Sequence, residues 1–253
     1  MPRFFPHEKL DVYASCLKFA KMAHELTGSW PSAIAVRDQL DRAMESIVTN
    51  LAKAAALRAT EGGIYLLECS LGSVLECAAC LDVAFRRHIA ERSSCREAKL
   101  LLQQIARMEV GLRNSWGMGA KEEPETYGPN PEHYFQHESL HVYQRSLQVH
   151  DSLAPLCELG RKRDRYAVRV DQLSTSLTIN IAEGNGRFSN LDHSKFLSIA
   201  QDAGTKLAAY LDLAAATSSV EVEDAKSNLR EVMAMLHGLR GYLAVPEDGD
   251  GPE

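Results

Sequence analysis

Residues 7–13, His-Glu-Lys-Leu-Asp-Val-Tyr, return at 137–143 as His-Glu-Ser-Leu-His-Val-Tyr. With the offset held at 130, Leu17 meets Leu147, Leu26 meets Leu156, Asp41 meets Asp171 and Ser46 meets Ser176. Asn50 meets Asn180, Ala52 meets Ala182 and Leu67 meets Leu197. Ala78, Ala79, Leu81, Asp82 and Ala84 also meet identical partners. One gapless register over most of both halves is the mark of a tandem duplication, so whatever one half folds into, the other repeats.

Each half reads as four helices. Apolar residues recur at helical spacing in Leu10, Tyr13, Leu17; in Val36, Leu40, Ala43, Ile47; in Leu67, Val74, Leu81; and in Leu101, Ile105, Met108, Leu112. The expected helices span about 8–26, 33–58, 61–88 and 92–113, then about 138–157, 163–184, 190–217 and 221–243. No useful length alternates at period two, and short connections favour antiparallel neighbours. The fold class expected is all-α: two tandem up-down-up-down four-helix bundles, at 1–113 and 137–243. Residues 114–136, with three prolines and four acids, read as a linker that Trp116, Tyr134 and Phe135 can pack locally; 244–253 reads as an acidic tail.

Charge follows the same division. Residues 1–113 carry 15 basic and 13 acidic side chains, and 137–243 carry 12 and 13, while the linker carries 1 and 4 and the tail 0 and 4. The net charge of −6 therefore lies in linker and tail. Near-neutral bundles leave room for local basic patches but exert no global pull on nucleic acid. No uninterrupted apolar run approaches the roughly 20 residues of a membrane helix, and the N-terminus lacks a signal-peptide core, so a cytoplasmic location with no membrane partner is expected. The six cysteines are then expected as reduced thiols, Cys77 and Cys80 among them as small buried residues.

The most specific stretch runs from Val170, Leu173, Leu177 and Ile181 into Glu183-Gly-Asn-Gly-Arg187. It predicts a helix that ends with Gly184 in the left-handed conformation, a tight corner through Gly186, and a new helix capped by Ser189. Asn180-Ile-Ala-Glu-Gly-Asn-Gly-Arg187 together with Phe196-Leu-Ser-Ile-Ala200 resembles the small four-helix-bundle proteins of bacterial 23S rRNA intervening sequences, a group that includes the accessory variability protein of diversity-generating retroelements. The resemblance implies a non-enzymatic bundle that self-associates and serves as an accessory to a reverse transcriptase or another protein acting with structured RNA. It implies no cofactor. The duplication departs from the single-bundle pattern, so stoichiometry does not carry over, and the acidic balance departs from the basic retroelement member.

The two copies diverge in a complementary way. The glycine corner survives in the second half but has become Asn50-Leu-Ala-Lys-Ala-Ala-Ala-Leu-Arg58 in the first. The first half keeps Leu66-Leu-Glu-Cys-Ser-Leu-Gly72-Ser73-Val-Leu-Glu76, where Gly72 and Ser73 admit a close neighbour. Different roles for the halves in one assembly are expected. Asn50 and Asn180, on the apolar stripe of the second helix of each copy, are read as register-fixing groups, and Glu183 with Arg187 as a charge-assisted brace of the corner.

His137-Glu-Ser-Leu-His141 matches the zinc-protease pattern, but its repeat counterpart ends in Asp11 and no third ligand follows, so it reads as a helix start. Two basic clusters remain, read either as a nucleic-acid surface or as solvated helix ends; in the second case the duplicated bundles read as a purely protein-binding, self-assembling scaffold with no nucleic-acid role. Arg161, Lys162, Arg163, Arg165 and Arg169 lie at the helix one–two connection of the second half. Arg86, Arg87, Arg92 and Arg96, with Lys99, lie near the helix three–four connection of the first, at the same end of an up-down bundle.

Overall fold

The structure, a computed structural model, describes residues 5–117, 133–153, 156, 164–217 and 220–243. The described elements are helical: α1 (Asp11–Thr27), α2 (Ala35–Leu57), α3 (Glu61–Arg86), α4 (Arg92–Ser115), α5 (His141–Ser152), α6 (Arg165–Asn185), α7 (Asn190–Thr217) and α8 (Glu223–Leu243). A 3-10 turn precedes α1 at Pro6–Lys9 and another precedes α5 at Gln136–Ser139. In each copy the following leucine, Leu10 or Leu140, is extended and starts the long helix afresh. The expected first helix is thus a turn and a helix.

Packing runs in a cycle in both halves. α1 lies on α2 and α4, α2 on α3, and α3 on α4; α5 lies on α6 and α8, α6 on α7, and α7 on α8. Each cycle is a four-helix bundle closed around its apolar stripes. The bundles then meet through α3 against α6 and α5, with α2 also touching α6. Among the described residues no comparable packing joins α7 to α1 or α2, so the joint is head-to-tail rather than self-complementary. Its buried apolar residues belong to one continuous cluster drawn from both halves.

The central position of α3 explains its composition. Its core residues include Leu71, Val74, Cys77, Ala78, Ala79, Cys80, Leu81 and Val83, on every face. It is also the one described helix long and apolar enough to cross a membrane, and 72% of that stretch is buried inside the protein. Burial pushes the Cys77 and Cys80 thiols up, and Cys95 to about 11, which keeps them protonated and unreactive.

The glycine corner differs from expectation. α6 continues through Gly184 to Asn185, and Gly186 caps it at φ −86. Positive φ among non-glycine residues occurs at Arg58 and His88 instead. The corner glycines serve close approach: a side chain at Gly184 would crowd Phe196 and His193, and one at Gly186 would overlap Leu75 of α3. Ser189 does head α7, accepting from the backbone N–H of Asp192 at 3.4 Å.

Candidate functional site: a polar seam between the bundles

Ser174 and Thr178 follow Asp171 at helical spacing and are buried beside it on α6. Together they form a second, polar stripe that faces the first bundle. The residue it receives is Arg87, just past the end of α3. The Arg87 guanidinium pairs with the Asp171 carboxylate, donates to Ser174 Oγ at 2.7 Å, and donates from Nε to His150 Nδ1 at 3.0 Å. That last bond requires a lone pair on Nδ1, so the proton lies on Nε2, which donates to Thr178 Oγ1 at 3.1 Å. Burial, and then the charge of Arg87, holds the His150 imidazole well below its ordinary value, in the neutral form this network needs.

Asp171 does a second job. Its other oxygen accepts the backbone N–H of Ala35 at 2.7 Å, the first residue of α2, where Ile34 offers no capping side chain. A carboxylate from the second bundle thus caps and charge-complements a helix of the first.

A second polar group lies farther along the seam. Lys99 Nζ reaches Asp82 Oδ1 at 2.7 Å and Glu138 Oε1 at 2.9 Å, while Tyr143 donates to Asp82 Oδ2 at 2.9 Å. Burial opposes the lysine's charge, but Asp82 and Glu138 outweigh it and hold the ammonium above its usual value. His137 lies alongside, stacked on Phe135 and edge-on to Tyr143, its pKa driven down by burial and then by Lys99. Donor atoms of Asp82, His137 and Glu138 lie within 4.8 Å of one another, a metal-like grouping. The ammonium of Lys99 already bridges both carboxylates there, so the cation that this cluster fits is internal. His141, in contrast, is exposed at the start of α5, and the zinc-protease spacing is broken by extended Leu140.

The third group is the corner. Arg187 pairs with Glu183 and lies over the Phe196 ring at 4.4 Å. A Cβ at Gly72 would come within 2.9 Å of its guanidinium. Gly72 therefore admits an arginine from the neighbouring bundle. Ser73 instead turns into its own bundle, donating to Ser46 Oγ at 2.7 Å. Asn50 and Asn180 each donate to a serine one turn back, Ser46 and Ser176. Arg113 stacks on Phe188 at 4.0 Å and completes the contact. Burial, followed by the facing Glu183 carboxylate, raises Glu76 to about 8.

α3 and α6 run antiparallel, since the end of α3 meets the start of α6 and its middle meets the end of α6. Because α2 and α3 are also antiparallel, the two bundles stand parallel, which brings the expected basic ends together. The surface patch is nevertheless smaller than the sequence suggests. Arg87 is buried in the seam and is withdrawn from it, as is Lys99; Arg86 is half-buried and paired with Asp151 at 3.1 Å. Arg92, Arg96, Arg165 and Arg169 are exposed. Arg161, Lys162 and Arg163 lie outside the described residues, as do 118–132 of the linker and the 244–253 tail.

Sequence reading missed Asp171, Ser174, Thr178 and His150 as seam residues. The signal was in the repeat itself: the counterparts of His150, Ser174 and Thr178 are Ala20, Met44 and Val48. A copy that turns polar along one buried stripe has acquired a polar neighbour.

The family model described as the 23S rRNA-intervening sequence protein matches this chain twice, over residues 8–111 and 138–238. The searches of curated proteins and of solved structures return no match.

Proposed function

The chain belongs to the 23S rRNA-intervening sequence protein family, and from that premise we propose that it is a non-enzymatic scaffold whose two bundles form one block for protein partners. The observation that carries this reading is the seam. Its strongest cations, Arg87, Lys99 and Arg187, are turned inward and paired with Asp171, with Asp82 and Glu138, and with Glu183. Basic side chains held this way fix the geometry of two bundles and are themselves withdrawn from any phosphate backbone. The raised thiols and the lysine-filled acid cluster agree with a structural role.

A second reading, an accessory that binds structured RNA beside a reverse transcriptase or another protein, rests on exposed Arg92, Arg96, Arg165 and Arg169. Titration of the purified chain into a labelled structured RNA at about 50 and about 200 mM salt separates the two, since each phosphate contact steepens the salt dependence. The scaffold reading expects weak binding that Ala substitution of those four arginines leaves unchanged. Tight binding with a steep salt slope that the substitutions flatten would replace it with the RNA reading.

A further inference from the structure

The lysine cluster of the seam leaves one of its members unsatisfied. Asp82 and Glu138 each commit one oxygen to the scaffold: Asp82 Oδ2 accepts from the Tyr143 hydroxyl at 2.9 Å, and Glu138 Oε2 accepts from the backbone N–H of Tyr134 at 3.0 Å. Their other oxygens, Oδ1 and Oε1, meet the Lys99 ammonium at 2.7 and 2.9 Å. His137 is 1% exposed, and among the described residues neither of its ring nitrogens has a hydrogen-bond partner. Burial keeps the imidazole neutral, so one nitrogen carries a lone pair. The ammonium thus accounts for both carboxylates and does nothing for the imidazole beside them.

Donor atoms of Asp82, His137 and Glu138 lie within 4.8 Å of one another. Two carboxylates and a neutral imidazole are the donor set of a borderline divalent ion such as zinc. The bonds to Oδ2 and Oε2 are the outer support that orients metal-binding carboxylates. His7 and Glu8 repeat the pair in the first copy, but among the described residues no third donor joins them. The grouping therefore needs the seam, with Asp82 supplied by α3 and the other two by the turn before α5.

Size decides which cation holds the site. Donors placed tetrahedrally around an ammonium at 2.7–2.9 Å lie about 4.4–4.7 Å apart, whereas donors on a zinc ion at about 2.0–2.2 Å lie about 3.3–3.6 Å apart. The observed span matches the ammonium. Lys99 is itself 6% exposed, so an entering ion would have to expel a buried charge.

We propose that Asp82, His137 and Glu138 form a divalent transition-metal site that Lys99 keeps closed. The ammonium is a tethered substitute for the ion. Removal of its charge and stem lets the two carboxylates close on a metal that also takes the His137 lone pair, with water as a fourth ligand. His141 takes no part, so the site is not that of the zinc-protease spacing.

Titration of the purified full chain with cobalt(II) reads the site through visible absorption, and zinc competes the signal away. Wild-type protein is expected to give no such spectrum at one equivalent. Lys99→Ala is expected to bind one ion per chain, without the intense near-ultraviolet band of thiolate ligands. In that background Tyr143→Phe removes the support of Asp82 and is expected to weaken binding about 10–100-fold, and His137→Phe to abolish the spectrum. Zinc at about 100 times its Kd is expected to raise the melt of Lys99→Ala by about 5–10 °C and to leave wild type unmoved. A Lys99→Ala chain that folds only with zinc present supports the site; Lys99→Ser replaces it if neither condition gives folded protein. The same spectrum from wild type, Lys99 variants that bind no more ion than wild type, or binding that survives His137→Phe would each overturn the proposal.

Discussion

Removal of either partner of the Arg87–Asp171 pair leaves the other charge buried. The two side chains are 2% and 11% exposed. Arg87→Met strips Asp171 of its guanidinium and keeps only the Ala35 N–H; Asp171→Asn leaves the guanidinium with His150 and Ser174. Breaking a buried pair from one side costs about 3–5 kcal/mol, whereas replacing both partners costs far less. Each single variant is therefore expected to lose about 3–5 kcal/mol in urea denaturation. At about 2–4 °C per kcal/mol for a chain of this size, that is a drop of roughly 6–20 °C in Tm. The double variant is expected to be clearly more stable than the sum of the singles predicts, because it leaves no uncompensated charge. Additivity to within about 0.5 kcal/mol, the behaviour of independent sites, would refute the reasoning and remove the pair from the seam.

Other perturbations test other parts of the fold. Gly186→Ala in an exposed helix end would be neutral or stabilising, but overlap with Leu75 makes it destabilising here by about 1–3 kcal/mol; a gain in Tm would show that the corner does not touch α3. Arg58 holds φ 47 at the corner where the first copy lost its glycine, so Arg58→Gly is expected to raise stability by about 1 kcal/mol in chemical denaturation. Glu109 is fully buried, bonded to Ser70 at 2.6 Å, and raised by burial to about 8. The folded state keeps a proton that the unfolded chain releases above about 4.5, so wild-type stability falls as pH rises from about 4.5 to about 8. Glu109→Gln lacks this loss, so its advantage over wild type is expected to grow across that window to a few kcal/mol and then level off. A difference that is flat with pH would mean that Glu109 is charged in the folded state.

The repeat register made the fold legible before any coordinates. Stripes such as Val36, Leu40, Ala43 and Ile47 place the helices to within a few residues, and equal spacing in both halves demands equal bundles. The seam was legible only in part. Gly72 announced a close neighbour, but an arginine fills the space rather than a helix backbone. Arg87 and Lys99 looked like solvated charges near a helix end, because a single bundle would leave them so; only the second bundle buries them. Gly184 and Gly186 looked like turn residues, since a glycine needed for clearance and one needed for positive φ are the same letter. Asp171 looked like a conserved register of Asp41, whereas its chemistry depends on Arg87, which has Thr217 as its counterpart.

The seam locks the two bundles into a single cooperative unit, and scanning calorimetry measures this most directly. One transition is expected, with equal calorimetric and van't Hoff enthalpies, of order 150–180 kcal/mol near 60 °C at about 0.7 kcal/mol per residue. Two transitions, or a van't Hoff enthalpy near half the calorimetric value, would show bundles that melt independently and would contradict it.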